Sequence, residues 1–235
     1  MFSDLALSRR LERAEGYACA QFADARRRLF PHSQAEWMEY AGAYAVFDGV
    51  DSPVTQSFGL GIFENVSAAS LDVIERFFFD RGSPALHEVS PHAGVNTFDM
   101  LCTRHYRPIE ISNVLYRHVE NPTAEDDGNI NVRVVGPEES QLFASVSARG
   151  WAHEHPELLD FLLQIGAIAT AREGVCASSV RLMAYQAPQV CSVYTTESRC
   201  SAVRRHHRNC AAAACRLRCF ESACATPTTM AASWR

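Results

Sequence analysis

The sequence predicts a mixed α/β fold in which helices cover a sheet. Three observations carry that expectation: a long stretch of helical periodicity at the start, two strand-like stretches joined by a turn-rich connection, and then a strict alternation of helix and strand. Ser3-Asp4 can cap a helix whose apolar positions Leu7, Leu11, Ala14, Ala18, Phe22, Ala25 and Leu29 recur at three- and four-residue steps, and Pro31 ends it. Glu39 to Phe47 and Gln56 to Phe63 read as strands, with Asp48-Gly49-Val50-Asp51-Ser52-Pro53 as the connection. Ser67 starts a second helix with Leu71, Ile74, Phe77 and Phe78 inward, and Gly82 fits the C′ position. Ala85 to Val89 is a short strand, Val95 to Arg104 a third helix, and Ile109 to His118 a strand.

A second unit is expected after the polar, acidic linker 121–129. Ile130, Val132, Val134 and Val135 form a strand. Gly136-Pro137-Glu138-Glu139 opens a helix, with Pro near its first turn and acids toward the positive end of the dipole. Leu142, Phe143, Val146 and Ala148 lie along it. Pro156 to Thr170 is another helix with Leu158, Leu159, Phe161, Leu162 and Ile165 as its buried side, and Arg172-Glu173-Gly174 turns toward a further strand. The organisation expected is therefore a first domain at 1–120, a linker at 121–129, a second unit at 130–174, and an atypical, poorly ordered tail at 175–235.

Composition separates the same segments. The tail carries only Glu197 and Glu221 against eight arginines, has no Gly, and holds Cys176, Cys191, Cys200, Cys210, Cys215, Cys219 and Cys224. Its Arg, Ala, Cys, Ser, Thr and Pro are what a shifted reading frame of GC-rich DNA yields. The body holds only Cys19 and Cys102, each expected as a small core residue. An odd cysteine total at irregular spacing argues against a disulfide framework. A net charge of -5 gives no reason to expect a nucleic-acid partner. The Arg-rich N-terminus lacks the apolar segment of a signal peptide, and no apolar run approaches the roughly 18 residues of a membrane span. A cytoplasmic location with no membrane partner is the expectation.

Leu101-Cys102-Thr103-Arg104-His105-Tyr106-Arg107-Pro108-Ile109-Glu110, followed by Val114-Leu115-Tyr116-Arg117, resembles the ending of a GNAT-superfamily domain. Together with Gln56 to Phe63 and the helix at Ser67, the chain is similar to bacterial N-acetyltransferases built from two tandem GNAT-like halves. The resemblance runs from Met1 to about Gly174. It implies a mixed, mainly antiparallel sheet flanked by helices, with the second GNAT-like unit incomplete. It also implies acetyl-CoA as cofactor and transfer of its acetyl group to a small-molecule or peptide amine. In that family a splayed strand leads into a loop of type Gln/Arg-x-x-Gly-x-Gly/Ala at a helix N-terminus, where backbone N–H groups face the pyrophosphate. A Tyr of the next helix protonates the leaving thiolate, and a carboxylate or water chain deprotonates the amine.

Here the loop before the second helix reads as Glu64-Asn65-Val66-Ser67-Ala68-Ala69-Ser70, with no Gly, and the Tyr position falls on Leu101. The first half therefore reads as a degenerate copy with little or no turnover, and no cofactor-binding residue is assigned. The competing class is a non-catalytic module that binds a small molecule or a protein.

Glu88, beside His87 on a short strand, is the one general-base candidate, against the plainer reading of a solvated or salt-bridged strand end. Cys210, Cys215, Cys219 and Cys224 with His206 and His207 lack the Cys-x-x-Cys pairs of a zinc knuckle, so no metal is expected. His153-Glu154-His155 lacks a His pair at helical spacing and reads as the polar start of a helix. Phe77-Phe78-Phe79 reads as core and interface packing. An unfinished second sheet leaves an edge strand through which a homodimer can form.

Overall fold

The structure is a computed structural model that describes residues 4–114, 116, 130–152, 156–173, 175–182, 188–194, 201–204 and 229–234. The fold is mixed α/β, with mostly antiparallel sheets flanked by helices. It divides into a unit formed by 1–116 with 225–235, and a unit formed by 117–224.

In the first unit, helix α1 (Leu5–Leu29) is capped by Asp4, whose carboxylate accepts the Leu7 N–H at 2.7 Å. Its buried residues are Ser8, Glu12, Gly16, Ala20, Phe22, Ala23, Ala25 and Arg26, so that of the recurring apolar positions Phe22 and Ala25 are buried and Leu29 is exposed. The helix approaches the sheet closely: a Cβ on Gly16 would sit 2.6 Å from the Tyr44 ring, so small residues line that contact.

The strand expected over Glu39–Phe47 is two. β1 (Glu36–Tyr40) and β2 (Ala43–Phe47) pair antiparallel around Ala41-Gly42, both at positive φ (49° and 74°). That is the geometry of a two-residue hairpin, here without the Asn-Gly or Asp-Gly signature that marks one in sequence. β2 is buried throughout. Tyr44 and Val46 face α1, while Ala43, Ala45 and Phe47 face α2 (Ala68–Phe79) and its core of Leu71, Ile74 and Phe78. Helix α2 buries the face its periodicity predicts. Phe77 and Phe78 meet edge to face at 5.2 Å inside the core, and Phe79 is exposed.

β3 (Gln56–Phe58) is antiparallel to β2, and β4 (His87–Val89) is parallel to β3. Helix α3 (Val95–Thr103) and strand β5 (Pro108–Val114) follow. Cys102 is exposed on α3 rather than part of a core.

The second unit contains β6 (Ile130–Val134), α4 (Ser140–Ala152), α5 (Leu159–Ala171), β7 (Val175–Leu182), β8 (Pro188–Tyr194) and β9 (Ser201–Arg204). The four strands form an antiparallel sheet in that order. The helices meet through Gly166, where a Cβ would fall 2.5 Å from the Ala144 backbone. Gly166, Ile168 and Ala169 are thus the buried side of α5, and Leu158 and Leu159, expected inward, are exposed. On α4, Phe143 and Ala148 are buried and Leu142 is exposed.

The last strand, β10 (Thr229–Trp234), completes the first sheet between β4 and β5, antiparallel to both, in the order β1-β2-β3-β4-β10-β5. The remainder of the segment read as a tail (183–187, 195–200, 205–228 and 235) lies outside the described residues, as do the 121–129 linker and His153-Glu154-His155.

Candidate functional site

β3 and β4 run side by side but meet in register at a single pair, Ser57 opposite His87. Beyond that pair the chain after Phe58 turns away. It was expected to continue as a strand to Phe63, but Gly59 and Gly61 both stand at φ +77° and end it. The connection to α2 is therefore 59–67, not Glu64–Ser70, and it holds two glycines. Gln56-Ser57-Phe58-Gly59-Leu60-Gly61 has the Gln-x-x-Gly-x-Gly spacing, its head eight residues ahead of the loop start expected at Glu64. The two glycines lie within the apolar run Phe58–Phe63, which masks the turn in the sequence.

Successive residues of β4 point to opposite faces. His87 is fully buried on the core side, where its Nδ1 lies 2.7 Å from Ser57 Oγ and the Tyr106 ring stands 4.9 Å from its own. Its Nε2 has no hydrogen-bond partner. Burial lowers the imidazole from 6.5 to about 3, so the ring is neutral at physiological pH.

Glu88 stands among the carboxylates of Glu12 and Glu15 on α1 and of Glu110 on β5. In register, Ser233 of β10 lies opposite both Glu88 and Glu110, which puts the three residues in one row. Burial, then repulsion from Glu15, Glu12 and Glu110, raises the Glu88 carboxyl to about 8. Glu12 is only 6% exposed, and its Oε2 accepts the Gly59 N–H at 3.1 Å. Burial and then Glu15 raise its carboxyl to about 7, against the lowering effect of that hydrogen bond. Glu12 thus joins the glycine turn to the Glu88 cluster, a link that nothing in its sequence surroundings announces.

The residues around the turn do not fit an acyl-CoA pyrophosphate. The Gly59 N–H is taken by a carboxylate. The first turn of α2 is closed by its own capping box, with the Ser70 N–H donating to Ser67 Oγ at 3.1 Å and the Ser67 N–H to Ser70 Oγ at 2.8 Å. Leu101, at the expected Tyr position, is a fully buried core residue. Tyr106, the phenol that packs on His87, donates instead to Glu75 Oε1 at 3.0 Å, and burial raises its pKa.

Two open clefts lie elsewhere on this unit. One of about 520 Å³ is lined by Glu75, Phe79, Pro84, Ala85, Arg104, His105 and Tyr106. The other, of about 500 Å³, is lined by Arg27, Gln34, Ala35, Glu36, Asp80 and Arg81. Neither is lined by Glu12 or Glu88. Among the described residues no group of three or more His, Cys, Asp or Glu could hold a metal ion, and the tail residues Cys210, Cys215, Cys219, Cys224, His206 and His207 lie outside that set. No described helix is long and apolar enough to cross a membrane.

Compared with known proteins, the chain matches no family model, no curated protein and no solved structure.

The shifted carboxyls fix a pH dependence of stability. Glu12 and Glu88 hold a proton more tightly folded than unfolded. Their contribution is complete below 4.5 and is lost as pH rises through about 7 and about 8. His87 is depressed, so its contribution is complete above 6.5 and is lost as pH falls toward about 3. Above pH 6.5 only the carboxyl terms change. The melting temperature is expected to decline from about pH 6.5 to about pH 8.5, and Glu88→Gln should flatten the upper part of that decline. A thermal melt series across this range checks it, and a wild-type profile that is level there would contradict the assignment.

Proposed function

We propose that the chain is a GNAT-like relative of the N-acetyltransferases whose first unit keeps the acceptor-amine side of the chemistry and has lost the acyl-CoA side. Transfer of acetyl from acetyl-CoA to an amine is then slight or absent, and the unit works as a binding module for a small amine in the cytoplasm. The layout supports this reading: antiparallel strands β1 to β3, a glycine turn, helix α2, and a parallel strand β4 that meets β3 at one pair.

The observation that carries it is the Glu12–Glu88 carboxyl cluster beside that junction. Clustered carboxylates favour a protonated amine, because an ammonium relieves their mutual repulsion. A carboxyl titrating near 8 is also suited to taking a proton from an ammonium near neutral pH, the role of a general base. Acetyl-CoA would supply the activated acetyl group, but the turn, with its Gly59 N–H taken by Glu12, does not fit it.

One observation favours a second reading in which transfer persists. Gln56-x-x-Gly59-x-Gly61 has the family's cofactor-loop spacing at the end of the strand that would lead into it.

Calorimetric titration of the full chain with a primary-amine series from propylamine to spermidine tests the proposal. Glu88→Gln is expected to weaken amine binding about tenfold, the loss of roughly 1.4 kcal/mol. Equal binding by wild type and variant would remove Glu88 from the site.

A further inference from the structure

We infer that Glu12 is an internal occupant of the Gly59–Ile62 turn: its carboxylate takes the backbone N–H that a phosphate-type oxyanion would take, and so keeps such a ligand out. Three observations converge on this. Gly59 and Gly61 both adopt φ +77°, and the Ile62 N–H closes the turn on the Gly59 carbonyl at 3.4 Å. Turns that bring glycine N–H groups to one side are anion-binding elements. The anion found against this one belongs to the chain itself, since Gly59 N–H donates to Glu12 Oε2 at 3.1 Å across 47 positions of sequence.

Positive charge also flanks the turn. Arg9 Nε donates to the Ile62 carbonyl at 2.7 Å, and the Arg13 guanidinium lies 4.3 Å over the Phe63 ring. On the other side Glu12 faces Glu15 and Glu88, neighbours that disfavour a further negative charge. A buried carboxylate placed against its own repulsion is held by what it bonds, and here that is the glycine turn.

The inference shares with the GNAT-like reading only the turn's capacity for an oxyanion, and the test separates the two. The full chain, Glu12→Ala and Glu15→Ala are titrated at pH 8 with inorganic pyrophosphate and, in a second arm, with desulfo-CoA. Glu12→Ala is expected to bind pyrophosphate at least roughly tenfold more tightly than wild type, and Glu15→Ala to remain close to wild type. A folded Glu12→Ala with no gain overturns the inference. Equal gains in both variants also overturn it, because general charge removal would then suffice. If Glu12→Ala does not fold, Glu12→Gln carries the test with a severalfold gain expected, and no gain overturns it. Pyrophosphate binding without desulfo-CoA binding leaves the inference standing and counts against the GNAT-like reading.

Discussion

Asp48→Ala is expected to destabilise the first unit by about 3–5 kcal/mol, because it breaks a buried ion pair by removing one partner. Asp48 closes the turn after β2. Its carboxylate accepts from Arg26 Nε at 2.5 Å and from Ser52 Oγ at 2.6 Å, and its side chain is fully buried while that of Arg26 is 9% exposed. Removing the carboxylate takes away the acceptor shared by Arg26 Nε and Ser52 Oγ in a buried place. Burial alone pushes the Asp48 carboxyl up, and the hydrogen bonds from Arg26 and Ser52 oppose that. The ion pair therefore holds the turn in shape more than it adds net stability. Adding Arg26→Met to Asp48→Ala should accordingly cost less than the sum of the single changes. Native-state amide exchange across Ala43–Phe47, in the full chain, measures each free energy. Additive losses would show that the two side chains act independently.

Gly61→Ala is expected to cost at least about 3 kcal/mol, the sum of a left-handed backbone and a hard contact. At φ +77° an L side chain is strained, and its Cβ would fall 2.1 Å from Thr97 Oγ1 and 2.8 Å from Thr97 Cγ2. Thr97 cannot step aside easily, being 2% exposed with its hydroxyl donating to the Ala93 carbonyl at 2.9 Å. Thr97→Ala should therefore rescue part of the loss and leave the backbone share. Gly49→Ala is the internal comparison. Gly49 has φ +123° with nothing within 4 Å of its Cβ position, so only the conformational cost remains. Equal effects at Gly49 and Gly61 in urea unfolding would mean that the contact with Thr97 carries no energy.

These two positions also mark where the sequence could and could not be read. Helices α1 and α2 were legible because local chemistry announces them. Asp4 and Ser67 are cap residues ahead of periodic apolar runs, and Gly82, just past α2, takes φ +69°. Turns made by residues with little signature were not legible. Ala41-Gly42 passes as strand, and Gly59 and Gly61 interrupt an apolar run that reads straight through to Phe63. Along α1 the apolar period marks Phe22 and Ala25 correctly as buried, but the close contact at Gly16 against Tyr44 carries no apolar signal.

Of the candidate site, Glu88 was identifiable as a carboxylate on a short strand. Glu12 was not, since a glutamate one residue from Leu11 in an Arg-rich helix reads as solvated surface. Its burial is a tertiary event, made where α1 packs on the sheet and Glu12 accepts the Gly59 N–H. The insertion of β10 between β4 and β5 was likewise invisible, because pairing across more than a hundred residues leaves no local trace.

The most direct test of the account is a thermal-shift and calorimetric titration of the full chain with acetyl-CoA, run beside spermidine as the amine probe. The predicted result is saturable binding of the amine, weakened by Glu88→Gln, with no shift from acetyl-CoA up to millimolar concentration. A saturable rise in melting temperature with acetyl-CoA would contradict the account, because the glycine turn would then accept the cofactor with Glu12 in place.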